Sequence, residues 1–201
     1  MDPEEIEQTL NHYLWGEISI ERAVYNVGEN LGLGAEGELF LIPASIKADD
    51  IARILKDGYD VRVMNDGFRQ FVKHFELDYL FIDTHPGLSK ETFLSIAISH
   101  ILLLLLRPDK QDYQGTAVTL DVVKQLKVRK LFLVINKCHR LLNPEALKEK
   151  VSTTYGEPVA GLFPLSEELV QMASEGIFSL KYPAHAITQE FKKVAQQILE
   201  G

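Results

Sequence analysis

Two patterns of hydrophobic and polar positions alternate along the chain: short, fully apolar runs, and longer stretches with apolar residues three or four positions apart. The apolar runs are typical of strands buried on both faces, and the wider spacing is typical of amphipathic helices. The runs predict five strands, at residues 39–42, 79–83, 101–106, 131–135 and 159–163.

Stretches with helical spacing lie before, between and after these strands. Capping residues such as Ser89, Asn143 and Ser166 mark several of the helix starts. The predicted helices cover residues 2–14, 19–24, 51–57, 60–75, 89–97, 115–126, 143–155, 166–172 and 187–199. Strands that alternate with helices in this way predict an α/β fold, a doubly wound and mostly parallel sheet with helices on both faces. We expect one domain over residues 1–201.

The stretch Tyr79–Gly87, which reads YLFIDTHPG, is the first candidate site. In open α/β sheets the ligand crevice lies beyond the carboxyl ends of the strands, where Asp83 is expected. A carboxylate at a buried strand end needs a partner, and Mg²⁺ or a water on Mg²⁺ supplies one. A turn, or the helix that begins near Ser89, is the alternative partner for Asp83. The other strand ends expected at the same edge are Arg107, Asn136 and Pro164.

The stretch Gly28–Gly37 contains four glycines but does not fit a phosphate-binding loop. A P-loop follows a buried strand and closes on Gly-Lys-Ser or Gly-Lys-Thr. Here the preceding residues have helical spacing and no lysine follows. We interpret this stretch as a surface loop.

Charge and cysteine content narrow the class of protein further. A net charge of −8 argues against a general nucleic-acid coat protein, which needs a basic face. The basic residues between Lys124 and Lys130 are interpreted as a solvated helix end, so the sequence supports no contact with membrane or DNA. The single cysteine, Cys138, fits a reducing compartment, and the acidic start does not resemble a signal peptide. We expect a cytoplasmic protein.

Three segments together resemble the MinD/ParA-type ATPases, the deviant-Walker P-loop proteins of cell division and partitioning. They are DYLFIDTHPG at 78–87, LLRPDKQDYQG at 105–115 and LVINK at 133–137, and they occur in the family's order. The resemblance covers nearly the whole chain. It implies ATP and Mg²⁺ as cofactors, and a homodimer, or a heterodimer with a full-length family member, as the assembly.

The resemblance also implies roles for individual residues. Asp83 matches the Walker B aspartate, which holds Mg²⁺ through a water, and Thr84 and Gly87 fall in the switch II segment. Asn136 matches the asparagine that reads adenine. Pro164 and Leu165 match the loop that flanks the base.

The family's first strand, its Gly-Lys-Thr loop and that loop's two lysines have no match in this sequence. Without the loop there is no seat for the triphosphate, because backbone N–H groups and a lysine provide it. We therefore expect an N-terminally truncated MinD/ParA-like domain that neither binds ATP tightly nor hydrolyses it. The strand at 79–83 is expected to lack a neighbour on one side. The sheet would then close the gap, a partner would donate a strand, or the chain would associate.

Three hypotheses follow. The first is a family ATPase without its phosphate-binding start. The second is a non-enzymatic homologue that binds and modulates a full-length family member or another partner protein. The third is an unrelated α/β binding module of the flavodoxin type, which would require the ordered motif matches to be coincidental.

Overall fold

The structure is a computed structural model that describes residues 5–33, 37–126, 128–173 and 175–200, without the side chains of Lys90 and Glu91. The chain forms two compact units, Met1–Ile82 and Asp83–Gly201.

The first unit is mostly helical, with one small antiparallel strand pair. Its α-helices are α1 (Leu10–Leu14), α2 (Ala48–Asp57) and α3 (Val61–His74), and its strands are β1 (Tyr25–Asn26) and β2 (Phe40–Leu41). Single 3-10 turns occupy Ile20–Ala23 and Glu29–Leu31.

The apolar face of α3 forms the core of this unit. Met64 and Phe71 on α3 are buried, as are Ile20 and Ala23. The Asp60 side chain accepts a hydrogen bond from the Arg62 N–H and caps the helix. The helix predicted over 60–75 is confirmed, and Met64 and Phe71 of its apolar face are buried, whereas Val61 at its start is 42% exposed.

Two predictions for this unit are wrong. The predicted helix over 2–14 shortens to α1, which begins after Thr9, and residues 2–4 lie outside the described residues. The run at 39–42 gives only the two residues of β2, which pair antiparallel with β1 and do not join the parallel sheet. A short apolar run does not specify its strand partner, so sequence alone placed it in the wrong sheet.

The second unit contains the parallel sheet. Its elements are α4 (Lys90–Ile98), β3 (Ile101–Leu106), α5 (Lys110–Leu126), β4 (Lys130–Cys138), α6 (Pro144–Tyr155), β5 (Val159–Pro164), α7 (Glu167–Met172), α8 (Phe178–Lys181) and α9 (Ala186–Leu199). The strand order is β3-β4-β5, and both strand pairs are parallel.

Helices cover both faces of this sheet, as predicted. On one face Leu133 and Ile135 of β4 pack with Leu120 of α5 and Val151 of α6. On the other face buried strand residues pack with buried residues of α7, α8 and α9, namely Phe132, Val134, Ala160, Phe163, Met172, Phe178, Ile187 and Val194. The predicted α/β class with a parallel sheet is confirmed.

Helix α9 lies along the outer strand, β5. The Leu162 N–H donates to Glu190 Oε1 at 3.0 Å, and Gln197 Nε2 donates to the Ala160 carbonyl at 2.8 Å. These two side chains satisfy backbone groups on the side of β5 that faces away from β4. The helix predicted over 187–199 is confirmed, and it packs on the sheet.

The strand predicted at 79–83 is not formed. Residues 79–85 have no strand assignment, and Tyr79 and Phe81 are 50% and 76% exposed. An apolar run becomes a buried strand only where neighbouring strands bond to its edges, and nothing in the run itself supplies those neighbours. Within the described ranges, every helix is too short or too polar to cross a bilayer.

Candidate functional site

The carboxyl ends of the three parallel strands meet at one edge of the sheet. Arg107 follows β3 and Asn136 lies near the end of β4, and both line a shallow depression of about 170 Å³. Pro164 is in register with Cys138, and the Leu165 N–H donates to the Cys138 carbonyl at 2.8 Å. The structure thus brings Arg107, Asn136 and Pro164–Leu165 to one edge, as the strand pattern predicts.

A bulge in β4 sets the direction of Asn136. The register with β5 shifts between Ile135 and Cys138, and Lys137 has the left-handed φ of +53°. Asn136 Oδ1 accepts a hydrogen bond from the Lys137 N–H at 2.8 Å. Bulges of this kind re-aim side chains at sheet edges. The sequence predicted that the strand ends at Ile135, because two polar residues break the apolar run.

The Nδ2 group of the Asn136 side chain has N–H donors that are not paired within the described residues. Its oxygen is engaged by the backbone, and no group in the described part of the chain accepts from Nδ2. The residue is half-buried, so a ligand acceptor placed there would be partly shielded from water. An amide donor at the mouth of a small depression suits a ring nitrogen or a carbonyl oxygen.

A local network of carboxylates neutralises Arg107. Its guanidinium donates from Nη2 to Asp112 Oδ1 at 2.9 Å and from Nε to Oδ2 at 3.0 Å, and Asp109 lies 3.4 Å from Nε. Hydrogen bonding from Arg107 lowers the pKa of Asp112, and the same contacts raise the pKa of Arg107. The helix predicted over 115–126 begins earlier, at Lys110, so its predicted start is wrong by five residues.

Asp109 and Asp112 therefore have local structural roles. Asp109 Oδ1 accepts from the Asp112 N–H at 3.0 Å in the first turn of α5, and Asp112 Oδ2 accepts from the Arg107 N–H at 2.8 Å. Two carboxylates face one guanidinium, so this cation is already paired and is poorly placed to hold a phosphate.

The residues beyond β5 are held by the start of α7. Ser166 Oγ accepts from the Leu169 N–H and donates to Glu168 Oε2 at 2.6 Å. This cap holds the Pro164–Leu165 turn at the sheet edge, with Leu165 exposed. The edge thus combines an amide donor on β4 with an apolar side chain next to β5.

Asp83, Thr84 and Gly87 lie in an exposed irregular segment before α4. Because Asp83 is exposed, no burial cost has to be offset by a metal, and that reason for predicting Mg²⁺ does not hold. Its alternative role as a helix cap does not hold either, since Ser89 Oγ accepts from the Thr92 N–H. Gly87 has a φ of +98°, which favours glycine.

The donor set around Asp83 is small for a metal ion. Among the described residues there is no group of three or more His, Cys, Asp or Glu side chains that could hold one. Mg²⁺ is commonly bound by one or two carboxylates together with waters and substrate phosphates. Asp83 therefore fits Mg²⁺ only as one ligand of an ion that phosphate oxygens also hold.

Several solved structures have folds similar to that of this chain. The cell division ATPase MinD of Pyrococcus furiosus matches with a TM-score of 0.76 and 21% identity, over 98% of this chain and 77% of that one. MinD in the Aquifex aeolicus MinC:MinD complex gives 0.75 and 15%, over 98% and 75%. The ParA family ATPase of Chlorobium tepidum gives 0.70 and 15%, over 96% and 76%.

These likenesses show that the chain has the fold of the MinD and ParA ATPases. No family model matches the sequence, and no curated protein matches it. About a quarter of each of these solved chains has no counterpart in this one. The predicted resemblance is confirmed at the level of the fold.

Proposed function

We propose that this is a MinD/ParA-like ATPase-family protein of cell division, partitioning or cargo positioning, and that residues 1–201 alone are not catalytic. The bulge in β4 supports the proposal, because it lies at Asn136, on the strand-end edge that also carries the Pro164–Leu165 turn. In this fold class the ligand crevice lies at that edge.

Each sequence-predicted residue keeps its proposed role. The Asn136 Nδ2 donates to adenine, and Pro164 and Leu165 pack beside the base. Asp83 holds Mg²⁺ through a water once phosphates are present, and Thr84 and Gly87 act as the switch next to it. ATP and Mg²⁺ are the proposed cofactors, and the cytoplasm is the proposed compartment.

The described residues contain no site that would bind the phosphates of ATP. Phosphoryl transfer relies on positioning and charge stabilisation by backbone N–H groups, a lysine and Mg²⁺. Arg107 at this edge is already neutralised by its two carboxylates. We therefore propose that the phosphate-binding segment lies outside residues 1–201, so that this chain is an N-terminally truncated form of a single domain.

The affinities for adenosine, ADP and ATP test whether these residues bind the base without binding the phosphates. Without a phosphate seat, all three ligands should bind with the same weak affinity, since only the base is recognised. The measurement is a titration with Mg²⁺, followed through the backbone amide signals of Asn136 and Leu165.

The matched variants are Asn136→Ala and Gln196→Ala, the second removing an exposed amide on α9. Only the first should abolish the shifts. An affinity that climbs steeply from adenosine to ATP would place a phosphate seat within these residues and contradict the proposal.

The second candidate function is that of a non-enzymatic homologue that binds and modulates a full-length family member. The neutralised Arg107 and the exposed Asp83 favour it, because neither residue is held ready for catalysis. One of the matched MinD structures is a complex with MinC, so a protein with this fold does assemble with another protein. Binding to a full-length family ATPase without nucleotide would support this function, and its failure at high concentration would remove it.

A further inference from the structure

Helices α5 and α6 form a cavity between them, away from the strand-end edge. Its volume is about 160 Å³. The residues that line it are Tyr113 of α5 and Lys150, Val151, Thr154 and Tyr155 of α6. None of them lines the depression that contains Asn136, so the proposed nucleotide site leaves this cavity without a role.

The walls of this cavity are mainly apolar. Val151 is 2% exposed and belongs to the core of the sheet face, and both tyrosines pack against the same core. The Tyr155 hydroxyl donates to the Tyr113 carbonyl at 2.9 Å, and Thr154 Oγ1 donates to the Lys150 carbonyl at 2.7 Å. Because these two hydroxyl hydrogens are already bonded to the backbone, the walls offer a ligand mainly carbon.

The two tyrosines favour an aromatic ligand. Burial raises the pKa of Tyr113 and of Tyr155, so both phenols are uncharged at neutral pH. Aromatic rings attract one another in offset or edge-to-face arrangements. An apolar cavity of about 150 Å³ is large enough for one benzene ring. The space between α5 and α6 therefore suits a single ring.

Lys150 gives the cavity its charge. It is the only lining residue that is charged at neutral pH, and it is exposed, so the cavity opens to solvent on its side. The lysines that form ion pairs within the described residues are Lys124, Lys148 and Lys193. The Lys150 ammonium is therefore available to an anion.

We propose that the cavity between α5 and α6 binds a small aromatic carboxylate of the size of benzoate. Its ring lies against Tyr113 and Tyr155, and its carboxylate accepts from Lys150 Nζ. A single ammonium matches the one charge of a carboxylate better than the two charges of a phosphate monoester. The net charge of −8 disfavours general binding of anions, so a bound carboxylate needs this local cation. The site is independent of the proposed function, because the two share no residue.

Three ligands that share a ring and differ in charge provide the first test. Benzoate, benzyl alcohol and benzylamine are titrated into the isotope-labelled 201-residue chain up to their solubility limits, followed through the amide signals of Val151 and Tyr155. Benzoate should bind about two- to fivefold more tightly than benzyl alcohol, the gain expected of an exposed ion pair, and benzylamine should bind most weakly. Equal affinities for benzoate and benzylamine, or no response to benzoate at these two amides, would overturn the proposal.

Two variants then separate the charge from the cavity. Lys150→Gln should reduce the affinity for benzoate to that for benzyl alcohol, whereas the matched control Lys192→Gln, at an exposed lysine on α9, should leave it unchanged. Thr154→Phe places a ring in the cavity from an exposed position on α6 and should abolish the binding of both ligands. Far-UV circular dichroism confirms that each variant is folded. A folded Thr154→Phe chain that still binds benzoate, or an unchanged affinity in Lys150→Gln, would contradict the assignment.

Discussion

Gly161→Ala should lower the free energy of unfolding by about 1–3 kcal/mol, the usual cost of inserting a methyl group into a filled core. A Cβ at this position would stand 2.5 Å from Val194 Cγ2 and 3.3 Å from Phe163 Cε2. Val194 is buried on α9, so the helix would have to move away from β5. The bonds from Glu190 and Gln197 to the strand would weaken with it.

Two further variants make this prediction specific. Gly115→Ala lies within α5, where a Cβ meets nothing within 4 Å, and alanine there should raise stability by up to about 1 kcal/mol. Val194→Ala should recover part of the loss in the Gly161→Ala background, because it removes the colliding methyl group. Urea denaturation gives all of these values. A Gly161→Ala chain as stable as wild type would contradict close packing of α9 on β5.

Glu190→Ala should also cost about 1–3 kcal/mol, since it leaves the Leu162 N–H without its acceptor. The carboxylate is only 12% exposed and also holds Lys148 at 3.3 Å and Lys193 at 3.2 Å. Glu190→Gln should cost less, because an amide oxygen can still accept from the strand. Equal losses for both variants would mean that the strand bond contributes little.

The same residue predicts how stability depends on pH. Burial disfavours the charged form, but hydrogen bonds from Leu162, Lys193 and Lys148 outweigh it, so the pKa of Glu190 is lowered. A lowered pKa in the folded state gives stabilisation that is present above the usual glutamate range and is lost as the pH falls through the lowered pKa. Wild type should therefore lose more stability on acidification than Glu190→Gln, in thermal unfolding followed from neutral to acidic pH. Parallel losses would contradict this account of Glu190.

The strands of the parallel sheet were predicted from the sequence more accurately than the elements of the first unit. The runs at 101–106, 131–135 and 159–163 are the three parallel strands, because strands apolar on both faces carry a strong local signal. The run at 79–83 carries the same signal and forms no strand. It lacks a neighbouring strand to pair with, and the residues of the run do not determine whether such a strand is present.

The sequence predicted which edge of the sheet holds the candidate site, but it did not predict the local backbone geometry there. The strand ends Asn136 and Pro164 lie at one edge, as parallel topology requires. The bulge at Asn136–Lys137 depends on a left-handed backbone that no local pattern indicated. Glu190 accepts a hydrogen bond from Leu162, 28 residues earlier in the chain. The spacing of apolar residues along the sequence does not indicate a contact over that separation.

ATP turnover by the purified 201-residue chain tests the central claim most directly. Phosphate release should be followed with Mg²⁺ at saturating ATP, for the wild type and for Asp83→Asn. We expect no release above the protein-free blank, and no difference between the two chains, because we propose that the residues that bind the triphosphate lie outside this sequence. Mg²⁺-dependent turnover that Asp83→Asn abolishes would show a complete ATPase site within residues 1–201 and would contradict the account.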